Sequence, residues 1–162
     1  MTTGAVESSR NDMGRQILPR PSAGRVLLVD DMQEDAELLA ELLAPLETSI
    51  VVAQSAEEAL KILDKQIVDL VVTDLNMPGA SGLDLARDLR IRHDAPAVIF
   101  MTGSQRAEDK VAAFELGALA YLQKPVDVAQ LIGLAREILR SRCAERSIDA
   151  TVGNPSALSG AR

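Results

Sequence analysis

The stretch from Ile67 to Thr73 is almost wholly apolar, broken by Asp69, and reads as a strand covered on both faces, which requires a sheet layered between helices. Four further runs have strand character, at residues 25–30, 48–53, 96–101 and 118–123, and helical periodicity fills the intervals. Strand and helix therefore alternate five times between residues 25 and 140. With right-handed crossovers, that alternation predicts an α/β domain: a doubly wound, five-stranded parallel sheet flanked by five helices, with 67–73 at its centre.

The helices carry their own boundary signals. The first is expected from Gln33 to Ala44, where Pro45 stops it. Ser55-Ala56-Glu57-Glu58 is a capping box, and the helix it opens has Ala56, Ala59, Leu60 and Leu63 on one face. A third helix presents Leu85, Ala86 and Leu89, and a fourth, about 105–116, ends at Gly117, a favoured C′ residue. Asp127 can cap the last, whose apolar face is Val128, Leu131, Ile132, Ala135, Ile138 and Leu139.

Hydrophobic residues make up 47% of the 162, enough for a core, yet the aromatics are only Phe100, Phe114 and Tyr121, so that core is aliphatic. The Gly/Ser/Thr/Pro-rich stretch 1–24 reads as a flexible leader, and 141–162, with Gly153-Asn154-Pro155, reads as a flexible tail. The domain is expected over 25–140, with no room in the tail for a helix-turn-helix output domain. No long apolar segment or signal-peptide core is present, which predicts a cytoplasmic protein without membrane partners.

The net charge is −7, and residues 25–140 hold 11 basic against 20 acidic side chains. An acidic body repels phosphate backbones, so protein partners are expected and nucleic acid is not. Cys143 and His93 each stand alone in the sequence. They read as an incidental thiol and a helix-end or surface histidine.

Three aspartates sit directly after apolar runs: Asp30 and Asp31 after 25–29, and Asp74 after 67–73. If those runs are neighbouring parallel strands, their carboxyl ends meet at the sheet edge where open α/β folds build sites. Clustered carboxylates repel one another unless a cation joins them, and an all-oxygen set favours Mg²⁺ over zinc. Thr102 and Lys124 fall at the ends of the fourth and fifth runs.

Leu28-Val29-Asp30-Asp31, Thr73-Asp74-Leu75-Asn76-Met77-Pro78-Gly79 with Gly82, Met101-Thr102-Gly103, and Gly117-Ala118 through Tyr121 to Lys124-Pro125 occur in order. Across 25–140 the chain closely resembles the receiver domain of two-component response regulators, a flavodoxin-like fold. The resemblance implies that Asp74 is the phosphoacceptor. It places Asp30, Asp31, Asp74 and the main-chain carbonyl of Asn76 around Mg²⁺, with Mn²⁺ as a substitute. Lys124 and Thr102 would bind the phosphoryl group, with a cis bond before Pro125, and Tyr121 would swing inward behind Thr102 as a switch. Gly103 would leave room beside the phosphoryl group, while Asn76 and Ser104 would tune its lifetime.

The resemblance, together with flanks too short for an output domain, implies a single-domain response regulator rather than an enzyme. It would take its phosphoryl group from a histidine kinase or phosphotransfer protein and signal to a protein target through residues 105–140, as a monomer or a phosphorylation-dependent dimer. A receiver fragment of a hybrid kinase and a phosphate sink are alternatives. An aspartate-nucleophile phosphatase would carry a second Asp where Asn76 stands, and a phosphate-independent adaptor would not need all five site residues. Taken singly, Asp30 or Asp31 could be a helix N-cap, Lys124 a surface lysine, Thr102 a plain strand residue, and Tyr121 a packed ring with a wet hydroxyl.

Overall fold

The structure, a computed structural model, describes residues 23–152, with side chains to 149. Five parallel strands form one sheet: β1 (Arg25–Val29), β2 (Ser49–Ala53), β3 (Leu70–Asp74), β4 (Ala97–Thr102) and β5 (Ala120–Gln123). Five helices alternate with them: α1 (Gln33–Leu42), α2 (Ala56–Leu63), α3 (Gly82–Arg90), α4 (Ala107–Glu115) and α5 (Val128–Val152). Strand order is β2-β1-β3-β4-β5, so the apolar third run is central, as its two-sided burial demands.

Alternation along each strand sorts the core into two layers. Leu27, Val29, Val71 and Phe100 pack with Ala59, Leu85, Leu89 and Ala113, joining α2, α3 and α4 on one face. Val26, Leu28, Leu70, Val72, Ile99 and Leu122 pack with Leu43, Leu131, Ala135 and Leu139, which bring the end of α1 and α5 onto the other. Among the described residues, no helix is long and apolar enough to cross a membrane.

Several boundaries differ from expectation. α1 ends at Leu42, and Pro45 lies inside a 3-10 turn, Ala44–Leu46, where its missing N–H is harmless. β3 starts at Leu70 rather than 67. The reason is Asp69, wholly buried, whose carboxylate accepts the Arg25 backbone N–H at 2.8 Å. β5 starts at Ala120 because Gly117 and Ala118 donate back to Phe114 and Ala113, closing the end of α4, with Gly117 at φ 89°.

The largest correction is at the C-terminal end. Residues 141–152, expected to be a flexible tail, continue α5 without a break. No Gly or Pro interrupts the chain from Leu134 to Val152, and Gly153-Asn154-Pro155 comes only afterwards. Docking also holds this stretch. Arg142 donates to the Ala95 carbonyl, and Arg146 Nε lies 3.9 Å from Asp69 Oδ1. The remaining tail, 153–162, lies outside the described residues, as does the expected leader up to residue 22. Gly24, at φ 87°, accepts from Thr48 Oγ1 at 2.6 Å and Ser49 N at 3.4 Å, so the sheet begins there.

Candidate functional site

Strand register brings the polar residues to one edge. Val29 lies beside Thr73, Asp74 beside Met101, and Thr102 beside Gln123, so Asp30, Asp74, Thr102 and Lys124 emerge at adjacent carboxyl ends. Carboxylate oxygens of Asp30, Asp31 and Asp74 lie within 4.8 Å of one another. Lys124 Nζ stands 3.2 Å from both Asp30 Oδ2 and Asp74 Oδ2. The carboxylate side chains are only 6% and 13% exposed and that of the lysine 32%, so the contacts operate partly shielded from water.

Burial of Lys124 pulls its pKa down, but the charges of Asp74 and Asp30 and their hydrogen bonds together outweigh it, and the pKa stands above the usual 10.5. The ammonium is therefore firmly protonated near neutrality. A lysine on open surface has no such partners. The Lys124-Pro125 peptide bond is cis.

Neither aspartate of the Asp30-Asp31 pair caps α1. Met32 occupies the N-cap position without a side-chain bond, and Asp30 Oδ1 instead accepts the Met32 N–H at 3.0 Å. That bond fixes the Asp30 carboxylate with its other oxygen on Lys124.

The loop after β3 is held just as tightly. Asn76 N donates to Asp74 Oδ1 at 3.3 Å, and Gly82 N donates to Leu75 O at 2.9 Å. A Cβ on Gly82 would overlap the Asp74 carbonyl oxygen and come within 3.0 Å of Leu75 Cα, so glycine permits the start of α3 to rest on the strand end that carries Asp74. Ser81 and Asp84 form a reciprocal capping box there. Its Ser-x-x-Asp spacing was a legible signal that sequence reading passed over. The expected box at Ser55 is only half realised: Ser55 accepts the Glu58 N–H, while the Glu58 carboxylate takes the Gln54 N–H.

Thr102 is wholly buried, and its hydroxyl oxygen accepts from Ser104 N at 3.0 Å and Asn76 Nδ2 at 3.4 Å. Nothing within 4 Å would meet a Cβ on Gly103. Tyr121 pairs with Phe100 and packs against the α2–α4 layer. Its hydroxyl is buried beside Thr102 and Ser104, and its ring packs against the core as the packed-ring alternative expects. Burial raises its pKa above the usual 10.0, the charge of Asp109 adds to this, and Thr102 and Ser104 partly offset it. Asp109 went unnoticed in the sequence, because an acidic residue in the first turn of a helix is ordinary.

An edge of three carboxylates and one ammonium, set at the carboxyl ends of adjacent parallel strands, keeps a net negative charge and forms a candidate site for a small cation. The chain belongs to the response regulator receiver domain family, whose model matches residues 26–136. Among its relatives are the transcriptional regulatory protein CpxR of Escherichia coli K12, 39% identical over 133 residues covering 82% of this chain and 56% of CpxR. The regulatory protein VanR of Enterococcus faecium is 34% identical over 72% of this chain and 50% of VanR. The chain thus spans about half the length of these curated relatives. A response regulator receiver protein from Pseudomonas putida superposes with TM-score 0.68 at 36% identity, covering 75% of this chain and 99% of that one. A response regulator from Chloroflexus aurantiacus, described as putative, gives 0.67 at 30%, covering 72% and 98%.

Proposed function

We propose that this receiver accepts a phosphoryl group on Asp74 from the phosphohistidine of a histidine kinase or phosphotransfer protein, and signals by phosphorylation-dependent protein contacts. The observation that carries the reading is the ammonium of Lys124 bridging Asp30 and Asp74 beside a third carboxylate. In the transfer, an Asp74 oxygen bonds to phosphorus as the phosphorus–nitrogen bond breaks, and the histidine leaves with its electron pair. A carboxylate approaching a phosphoryl dianion meets like charge, so neutralisation and alignment supply the rate.

The donor set fits Mg²⁺: three carboxylates, no sulfur or imidazole, and oxygens close enough to share one small ion. Asp30, Asp31, Asp74 and the Asn76 carbonyl would hold it, and when bound it would screen the approaching charges. Lys124 is placed to pair with a phosphoryl oxygen once it leaves Asp74, and Thr102 to turn its hydroxyl to another. Asn76 and Ser104, both hydrogen-bonded to Thr102, would tune the lifetime of the phosphoryl group.

The target contacts of this receiver fall within 105–140, where Val111, Phe114 and Leu119 are exposed. CpxR carries the name of a transcriptional regulator, whereas the acidic charge of this domain disfavours direct contact with nucleic acid. Asn76, two residues after Asp74, disfavours a phosphatase that would need an acid there.

Incubation with Mg²⁺ and a small acyl phosphate, followed by intact mass, tests the assignment. Wild type should gain one phosphoryl group and Asp74→Asn none. Equal labelling of both would remove Asp74 from the role.

A further inference from the structure

A hydrogen-bonded path leaves Asp74 and ends on α4. Asn76 N donates to Asp74 Oδ1, and Asn76 Nδ2 donates to Thr102 Oγ1 at 3.4 Å. Ser104 N donates to the same Thr102 oxygen at 3.0 Å, and Ser104 Oγ donates to Asp109 Oδ2 at 2.6 Å. The last bond is the shortest and has a charged acceptor, which makes it the strongest of the set.

That bond also replaces a missing cap. The N-cap of α4, Arg106, offers no side-chain bond, and its backbone N–H donates to Ser104 Oγ at 3.3 Å. Ser104 thus accepts an orphan N–H at the helix start and donates its own hydroxyl hydrogen bond to Asp109 in the first turn. Tyr121 belongs to the same neighbourhood: its hydroxyl is buried and feels the charge of Asp109.

We propose that Asp109 is a positioning residue for the phosphoryl state of Asp74, acting by capturing the Ser104 hydroxyl and fastening the β4–α4 loop against Thr102. This rests on Asp74 being the phosphoacceptor. A serine hydroxyl has one proton to give. While Asp109 holds it, Ser104 does not orient a water or a phosphoryl oxygen at the acceptor site. In hydrolysis a water oxygen bonds to phosphorus, the bond from phosphorus to the Asp74 oxygen breaks, and the carboxylate and inorganic phosphate are released as the water's proton passes to phosphate or solvent. Freeing Ser104 gives that water a new partner and loosens the loop beside it, so phosphoryl loss accelerates.

The experiment uses the full chain, labelled with acyl phosphate and Mg²⁺, freed of reagent and followed by intact mass. Asp109→Ala should lose its label about three to ten times faster than wild type, a change of the size that one ordinary hydrogen bond supplies. In a Ser104→Ala background the same substitution should change nothing further. An unchanged lifetime, or equal acceleration in both backgrounds, overturns the proposal. Amide exchange on unphosphorylated protein adds a readout independent of labelling. Asp109→Ala should speed exchange at Ser104–Ala107 severalfold and leave β4 as it was, whereas unchanged exchange at the loop contradicts the fastening role. A wild-type chain that takes up no label sinks the phosphoacceptor reading, and the exchange measurement then still decides whether Asp109 holds the loop.

Discussion

Lys124 and Asp74 are 50 positions apart in sequence, yet the lysine Nζ lies 3.2 Å from Asp74 Oδ2 and equally close to Asp30 Oδ2. One cation thereby neutralises part of a crowded acidic edge. Lys124→Met should lower stability in metal-free buffer by about 1–2 kcal/mol, below the cost of breaking a fully buried pair because the lysine is partly exposed. Added Mg²⁺ should recover part of the loss, since an ion bound to the folded state stabilises it. Urea unfolding with chelator and with Mg²⁺ measures both effects, and an equally stable variant would show that the pair contributes nothing.

The same lysine gives a pH dependence with a definite sign. Its pKa is raised above 10.5 in the folded protein, so its stabilising contribution is complete below 10.5 and disappears as pH climbs through the higher folded value. The stability gap between wild type and Lys124→Met should therefore be constant around neutrality and shrink in strong alkali. A gap that widened there would reverse the assignment of the pair.

Asp31 separates metal binding from the lysine contact, because the ammonium reaches Asp30 and Asp74 and not Asp31. Asp31→Asn should weaken Mg²⁺ binding about tenfold, a change of ~1.4 kcal/mol, through the loss of one charged ligand. Stability in chelator should change little. Titration calorimetry of both proteins checks this, and unaltered affinity would take Asp31 out of the ligand set.

Gly82 and Gly103 are expected to respond in opposite ways to the same added methyl group. Gly82→Ala drives a Cβ into the Asp74 carbonyl and should cost at least about 1–3 kcal/mol and slow phosphoryl uptake. Gly103→Ala enters open space and should leave stability within about 0.5 kcal/mol. Thermal melting of the two variants decides between them.

Cutting the chain after Arg140 removes the Arg142 and Arg146 contacts and should destabilise the domain by about 1–3 kcal/mol. Arg146→Ala alone should reproduce part of the effect, because it takes a cation from the buried carboxylate of Asp69. A truncated chain as stable as the whole would restore the domain boundary expected from sequence.

The amino-acid sequence by itself determined the five-fold alternation, the central strand and the arrival of Asp30, Asp74, Thr102 and Lys124 at strand ends. Those properties follow from local periodicity and the positions of breakers, which act over a few residues. Tertiary structure decided the rest. It set which oxygen meets the ammonium, why only glycine serves at 82, and where the Tyr121 hydroxyl lies, because these depend on strand register and on neighbours far away in the chain. It also converted an expected tail into the end of α5: Arg142 and Arg146 look like ordinary surface charges until the fold supplies the carbonyl of Ala95 and the buried carboxylate of Asp69 as their partners.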